Sequence, residues 1–336
     1  MIPLRKTQNI LIEPEKITEL LKKNYSSLMQ SFYEMQSGFL SGVYKRYGSI
    51  ETANIILCFA KNAHLEIIRQ REKDLNIDVS LQNFWNNFYK IRKPYHKIST
   101  VVKLTGIPKE TVRRKIKNLI NVGYLNVDKI NKGYYWNLTS KDKEAYVNII
   151  NEETRNLSMF IAKIVKLLDI KLPTKLIDNE IQSQFSFYWY HYLTCQLEWL
   201  KWWQLRLRDN DLLIISLQAI IPTLNFLDKK NKEIDLDNLF KIIGQVNKED
   251  CTNCAINATS ISAVTGIPRA TCIRKLEKLV ALGFLTRVEK NKRFEVNQAM
   301  ESRTKNILSK ENVNFTIKNF SVYISIILNS LIYNKM

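Results

Sequence analysis

The chain runs to 336 residues and carries 51 Lys and Arg against 32 Asp and Glu, a formal net charge of +19. Its 45% hydrophobic and 25% charged residues are those of a packed globular protein, which excludes wholesale disorder, and the length favours two domains over one. No apolar run reaches the about 18 residues of a membrane span; the nearest, 185–205, is broken by His191, Glu198 and Lys201.

The opening stretch, MIPLRKTQNILIEPEK, offers a short apolar patch where an export signal needs about seven to fifteen apolar residues, so neither export nor a membrane partner is expected. Five cysteines, an odd number in no regular framework, fit a reducing compartment, and the expected location is cytoplasmic, at the nucleoid. Cys251 and Cys254 form a CxxC pair that reads as a loop thiol pair. Zinc would need further ligands that the isolated His64, His96 and His191 do not supply. Lys, Asn and Ile are all plentiful, as an adenine- and thymine-rich coding sequence produces, so part of the positive charge is compositional. The field it creates still attracts polyanions, nucleic acid above all.

In chain order, residues 1–49 read as an N-terminal long helix, its apolar positions recurring at helical spacing from Tyr25 to Tyr47. The run ETANIILCFAKNA from Glu51 is a buried helix. Ser99 then caps a short helix through Val101, Val102 and Leu104, which Gly106 ends. Pro108 opens a second helix whose stripe is Val112, Ile116, Leu119 and Ile120. Its other face carries Lys109, Thr111, Arg113, Arg114, Lys115 and Lys117, and Gly123 stops it. Residues 124–130 and 133–138 flank an Asn-Lys-Gly turn and predict a hairpin. A helical stripe from Tyr146 to Leu168 follows, then a second long helix over 185–207.

The same order then returns. Residues 104–125, LTGIPKETVRRKIKNLINVGYL, match residues 264–285, VTGIPRATCIRKLEKLVALGFL, at an offset of 160 without a gap. Extended from His96 to Asn137 against Ile256 to Asn297, the match gives 13 identities in 42 positions. Further out, the Glu51 run aligns with DLLIISLQAIIPT from Asp211 at the same offset, with a compensating shift of about five residues in between, and the stripe 315–331 answers the one at 146–168.

A helix, a glycine turn, a basic helix and a hairpin define a helix-turn-helix followed by a wing. Both copies resemble the winged helix-turn-helix of bacterial regulators, and the order of flanking helices resembles the MarR family. The TGIP turn and the R-K-x-x-x-L pattern are similar to that superfamily's entry into the recognition helix. The resemblance implies a mainly α fold with small β-wings: two winged units related by an internal repeat of about 160 residues and joined by long helices in a pseudo-twofold arrangement. The divisions are 1–49, winged unit 1 at 50–138, connecting long helices at 139–209, winged unit 2 at 210–298, and a C-terminal helix at 299–336. Unlike that family's paired short chains, this chain carries both halves, like a fused dimer; pairing of two such chains stays open.

The partner implied is double-stranded DNA. Thr111, Arg113 and Arg114, with Arg269, Thr271 and Arg274, are the candidates facing bases, because Arg and Thr carry the donors and methyl groups that major-groove edges select. Lys109, Lys115, Lys117, Lys275 and Lys278 are candidates for phosphates. Ser99, Thr100, Thr259 and Ser260 sit at helix starts, where hydroxyls and backbone N–H groups meet phosphate oxygens. Lys132, Lys290, Lys292 and Arg293 mark the wing tips. The resemblance also implies a small aromatic effector. Trp189, Trp199, Trp202 and Trp203 crowd the second long helix, where they either line such a pocket or pack between the halves. No cofactor and no catalysis are expected, since no nucleophile stands at motif spacing from a base and nine glycines leave little for phosphate loops. Tandem winged helices also resemble plasmid replication initiators, and a winged-helix protein-interaction scaffold is a third reading.

Overall fold

The computed structural model describes residues 11–138, 140–230, 234–245, 254–288, 292–297 and 309–333. The first half contains α1 (Pro14–Lys23), α2 (Tyr25–Tyr47), α3 (Ile50–Lys73), α4 (Phe84–Lys90), β1 (Tyr95–His96), α5 (Ile98–Thr105), α6 (Lys109–Asn121), β2 (Leu125–Asp128), β3 (Gly133–Trp136) and α7 (Ser140–Leu167). The second contains α8 (Thr174–Ser183), α9 (Phe185–Leu207), α10 (Asp211–Lys230), α11 (Leu236–Gln245), α12 (Ala258–Thr265), α13 (Arg269–Ala281), β4 (Leu285–Val288), β5 (Arg293–Val296) and α14 (Lys310–Tyr333). Among the described residues the protein is mainly helical with two small antiparallel sheets, β1-β3-β2 and β4-β5. The bounds of α1, α2, α5, α6, β2 and β3 recur 160 residues on as those of α8, α9, α12, α13, β4 and β5.

Local chemistry explains these bounds. Gly48 ends α2 at φ 74°, and Ser49 at once caps α3 by accepting from Thr52 N at 3.1 Å. In the first TGIP turn Thr105 Oγ1 donates to Val101 O at 2.8 Å and accepts from Ile107 N at 3.2 Å. Thr265 does the same with Ile261 O at 2.7 Å and Ile267 N at 3.2 Å. The glycine that follows must take a left-handed conformation, φ 69° at Gly106 and 76° at Gly266. A Cβ at Gly266 would also lie 2.7 Å from Lys45 Cγ, so the turn and α2 meet closely.

Two of the differences from the sequence reading lie at helix starts. The N-terminal helix is two helices, α1 and α2, with Asn24 between them. Ser99 lies inside the first turn of α5, whose N-cap is Lys97 without a side-chain cap bond; in the second half Asn257 forms a full capping box with Ser260.

The two halves are interleaved. α2 packs along α10 and α9 along α3; α1 lies on α14 and α8 on α7; α5 rests on α9 and α12 on α2. Each long helix is thus enclosed largely by the other half, which is why α2 and α9 bury side chains around most of their circumference. Phe32 meets Trp199 at 6.3 Å between ring centroids, and Phe39 meets Tyr192 at 5.5 Å. Phe160 and Phe320 both lie against Phe32. At the centre Gln196 Nε2 donates to Gln36 Oε1 at 2.8 Å, both residues fully buried. Replacing Gln36 alone with Leu leaves its partner amide unpaired and should cost about 1 to 3 kcal/mol. Replacing both with Leu should cost less than the sum of the singles, a coupling readable in a double-mutant cycle of urea midpoints. Additive costs would show that the two amides do not depend on each other.

The expectation that no apolar run reaches membrane-span length, with 185–205 the nearest, is corrected: α10 and α14 are long and apolar enough to cross a membrane, and over half of each apolar stretch, 61% and 56%, is buried inside the protein.

Candidate nucleic-acid interface

In both halves the sequence places an apolar stripe on one side of a short helix, and the structure buries that stripe. Val112, Ile116 and Leu119 of α6 are buried, as are Cys272, Leu276 and Leu279 of α13. Positions on the opposite side are exposed: Lys109, Arg113, Arg114 and Lys117 on α6, and Arg269, Arg274 and Lys278 on α13. Thr111 and Thr271 are half-buried. The hairpin follows each helix directly, β2 against α6 and β4 against α13. Asn137 Nδ2 donates to Gly123 O at 2.8 Å and Asn297 Nδ2 to Gly283 O at 2.9 Å, tying each hairpin's end to its helix's end.

Several of the exposed cations already have partners. Arg113 pairs with Glu110 at 3.2 Å on the same face, a solvent-exposed contact of little energetic weight. Arg269 Nε donates to Thr259 Oγ1 at 3.1 Å, linking α13 to the first turn of α12. Ser260 is occupied by the Asn257 capping box, while Ser99 and Thr100 lie in the first turn of α5. Arg114 and Arg274, 160 residues apart, are exposed and make no ion pair among the described residues.

Lys115 and Lys275 do not belong to the outer face. Lys275 is 6% exposed, and its Nζ lies 2.7 Å from Asp209 Oδ1 and 3.3 Å from Asp211 Oδ2. Lys115 Nζ donates to Ser49 Oγ and Thr52 Oγ1, each at 3.0 Å, and lies 3.5 Å from Glu51. Both lysines turn inward to bind the start of the next helix packed behind them, α3 in one half and α10 in the other. Lys275, buried between two carboxylates, and Lys115, half-buried and engaged by two hydroxyls and Glu51, already have their ammonium groups committed within the protein, so both are corrected from phosphate contacts to braces of their helices. The available signal was their spacing: Lys275 stands three residues after Cys272 and one before Leu276, on the buried stripe.

At the wing tips Lys132 and Lys292 both take positive φ, 52° and 54°, and both are exposed, as is Arg293. Lys290 and Cys251 lie outside the described residues. Cys254 is buried, its thiol near Pro222 O. His64 is fully buried and stacked 4.6 Å from Phe84, and burial lowers its pKa to about 3, so it stays neutral in the core.

The aromatic residues of α9 are packed. Phe185, Tyr188, Trp189, Tyr192, Trp199 and Trp203 are buried, and Trp202 stacks on Phe315 at 3.9 Å. The space beside Trp189, Trp136 and Tyr146 amounts to about 30 Å³, enough for one water-sized body and too small for an aromatic molecule. Larger open clefts lie between α7 and α8, about 830 Å³, and between α9 and α14, about 410 Å³.

Comparison of the chain with protein families, curated proteins and solved structures gives no match.

Proposed function

We propose that the protein is a sequence-specific double-stranded DNA-binding regulator, in which two winged helix-turn-helix units related by an internal repeat act as a single-chain pseudo-dimer. One observation carries this reading: α6 and α13 present Arg114 and Arg274, exposed and unpaired among the described residues, at equivalent positions behind identical TGIP turns. The interleaved helices support it, since α5 sits on α9 and α12 on α2, so each unit is seated on the other half. The major groove admits one α-helix, and two helices fixed in one body enter successive grooves about 34 Å apart.

The two reading faces are not the same. Arg113 corresponds to Ile273 and Lys117 to Glu277, so the target is an imperfect palindrome with unlike half-sites. Lys109, Lys117, Lys278, Lys132, Lys292 and Arg293 hold phosphates, and affinity should therefore fall about a thousandfold between about 50 and 200 mM salt. Fluorescence anisotropy with labelled duplex at graded salt measures this; no binding at the lowest salt overturns the proposal. Mapping bound sites across the genome then separates promoters, expected for a regulator, from a repeated array at an origin, which would mark a replication initiator. A small aromatic effector would act from one of the two open clefts, because the aromatic core of α9 is filled.

A further inference from the structure

The first wing carries a side chain that core packing does not explain. Ile130 is 92% exposed, at the tip of the β2–β3 hairpin, between Lys129 and Lys132, which are both exposed as well. The tip is held in shape: Asn131 N donates to Asp128 Oδ1 at 2.9 Å and Asn131 Nδ2 to Asp128 Oδ2 at 2.8 Å. A stiff turn therefore projects an apolar group into solvent, flanked by cations. Val127 on the same wing is 48% exposed. The aligned residues of the second copy are Lys290 and Arg287, so the apolar character belongs to one wing alone.

Resting on the DNA reading above, we infer that the first wing enters the minor groove and sets Ile130 against sugars and base edges as a wedge, with Lys129 and Lys132 on the phosphates of the groove's two walls. The chemistry matches on both counts. The minor groove is about 6 Å wide, lined by apolar sugar carbons and bounded on each side by phosphates. An apolar group between two cations fits that cross-section, whereas an apolar protein partner would gain nothing from lysines on either side. Apolar wedges partly unstack a base step and bend the duplex by about 20 to 90°. The second copy has Lys290 where the first has Ile130, and its wing stays on the phosphates. The bend is therefore one-sided, at the half-site read by α6.

The test uses duplexes of about 30 base pairs, enriched from a random pool on the unaltered protein and labelled at both ends for energy transfer. The unaltered protein should bring the ends together. Ile130→Ala should lose most of that change and bind about tenfold more weakly, equivalent to about 1.4 kcal/mol. Ile130→Lys, which copies the second wing, should bind without bending; Lys132→Ala should weaken binding and leave the bend. Because Ile130 and Lys132 are both exposed, each of these variants should melt at the parent's temperature. If the parent binds and Ile130→Ala bends the duplex equally, the wedge is overturned while the DNA reading stands. If the parent binds no duplex at all, both fall.

Discussion

Replacing Arg114 and Arg274 together with alanine should abolish the protein's preference for its own site while leaving salt-dependent binding to any duplex. Each arginine carries a planar fork of donors that matches the O6 and N7 edge of guanine, and one such contact contributes about 1 to 3 kcal/mol of discrimination. Arg114→Ala should relax sequence preference in one half-site and Arg274→Ala in the other. The two costs should add, because the residues lie on separate helices, α6 and α13, that share no partner. Neither change should alter stability, since both side chains are exposed and make no ion pair among the described residues. Competition binding with duplexes altered in one half-site reads the effect directly. A double variant that kept the parent's preference would remove α6 and α13 from the reading role.

The inward lysines give that experiment its control. Lys275→Ala would leave Asp211 without its lysine and Asp209 with only the more distant Lys278, 3.9 Å away, and breaking such an enclosed pair costs about 3 kcal/mol when the partners are well shielded. Here Asp209 and Asp211 keep 26% and 16% of their side-chain surface, which reduces the cost to about 1 to 2 kcal/mol. Loss of binding in Lys275→Ala should therefore follow loss of fold, with a lowered urea midpoint, whereas loss in Arg274→Ala should not.

Short-range chemistry was the legible part of this chain. The glycine that ends the first helix of each TGIP turn and the stripes of α6 and α13 follow from local rules and helical period, whereas the threonine hydroxyl that bridges two backbone groups in each turn went unread although it acts within a few residues. Long-range pairing was not legible. Nothing in the spacing of Phe32 or Phe39 announces Trp199 or Tyr192, and the meeting of α2 with α9 at the centre rests on such contacts. Lysine hides its role for a related reason: its long stem lets a residue on an inner stripe reach an acid, so Lys115 and Lys275 read as surface charge until Glu51, Asp209 and Asp211 are placed beside them. The short α4 also escaped, its seven residues being too few to show a period, and so did α11, although Leu236, Leu239, Phe240 and Ile243 recur at helical spacing.

Glu153 is an acid buried in the core, and its replacement with glutamine should make the protein more stable at alkaline pH. Glu153 lies on α7 at 2% exposure and receives a hydrogen bond from the Tyr192 hydroxyl of α9, with no cation paired to it among the described residues. Burial, above all, raises its pKa from 4.5 to about 8, opposed in part by the Tyr192 hydrogen bond. The folded protein thus keeps a proton that the unfolded chain has already released. Stability must fall as pH rises from about 4.5 to about 8 and level off above, by roughly 3 to 5 kcal/mol over the window. Glutamine keeps an oxygen for Tyr192 and has no proton to lose. Parent and Glu153→Gln should unfold at similar urea concentrations near pH 4.5, and the variant should resist progressively more urea up to pH 8. Parallel curves across that range would mean that the carboxyl is not held neutral. A widening gap would show that Glu153 of α7 meets Tyr192 of α9 as a protonated acid.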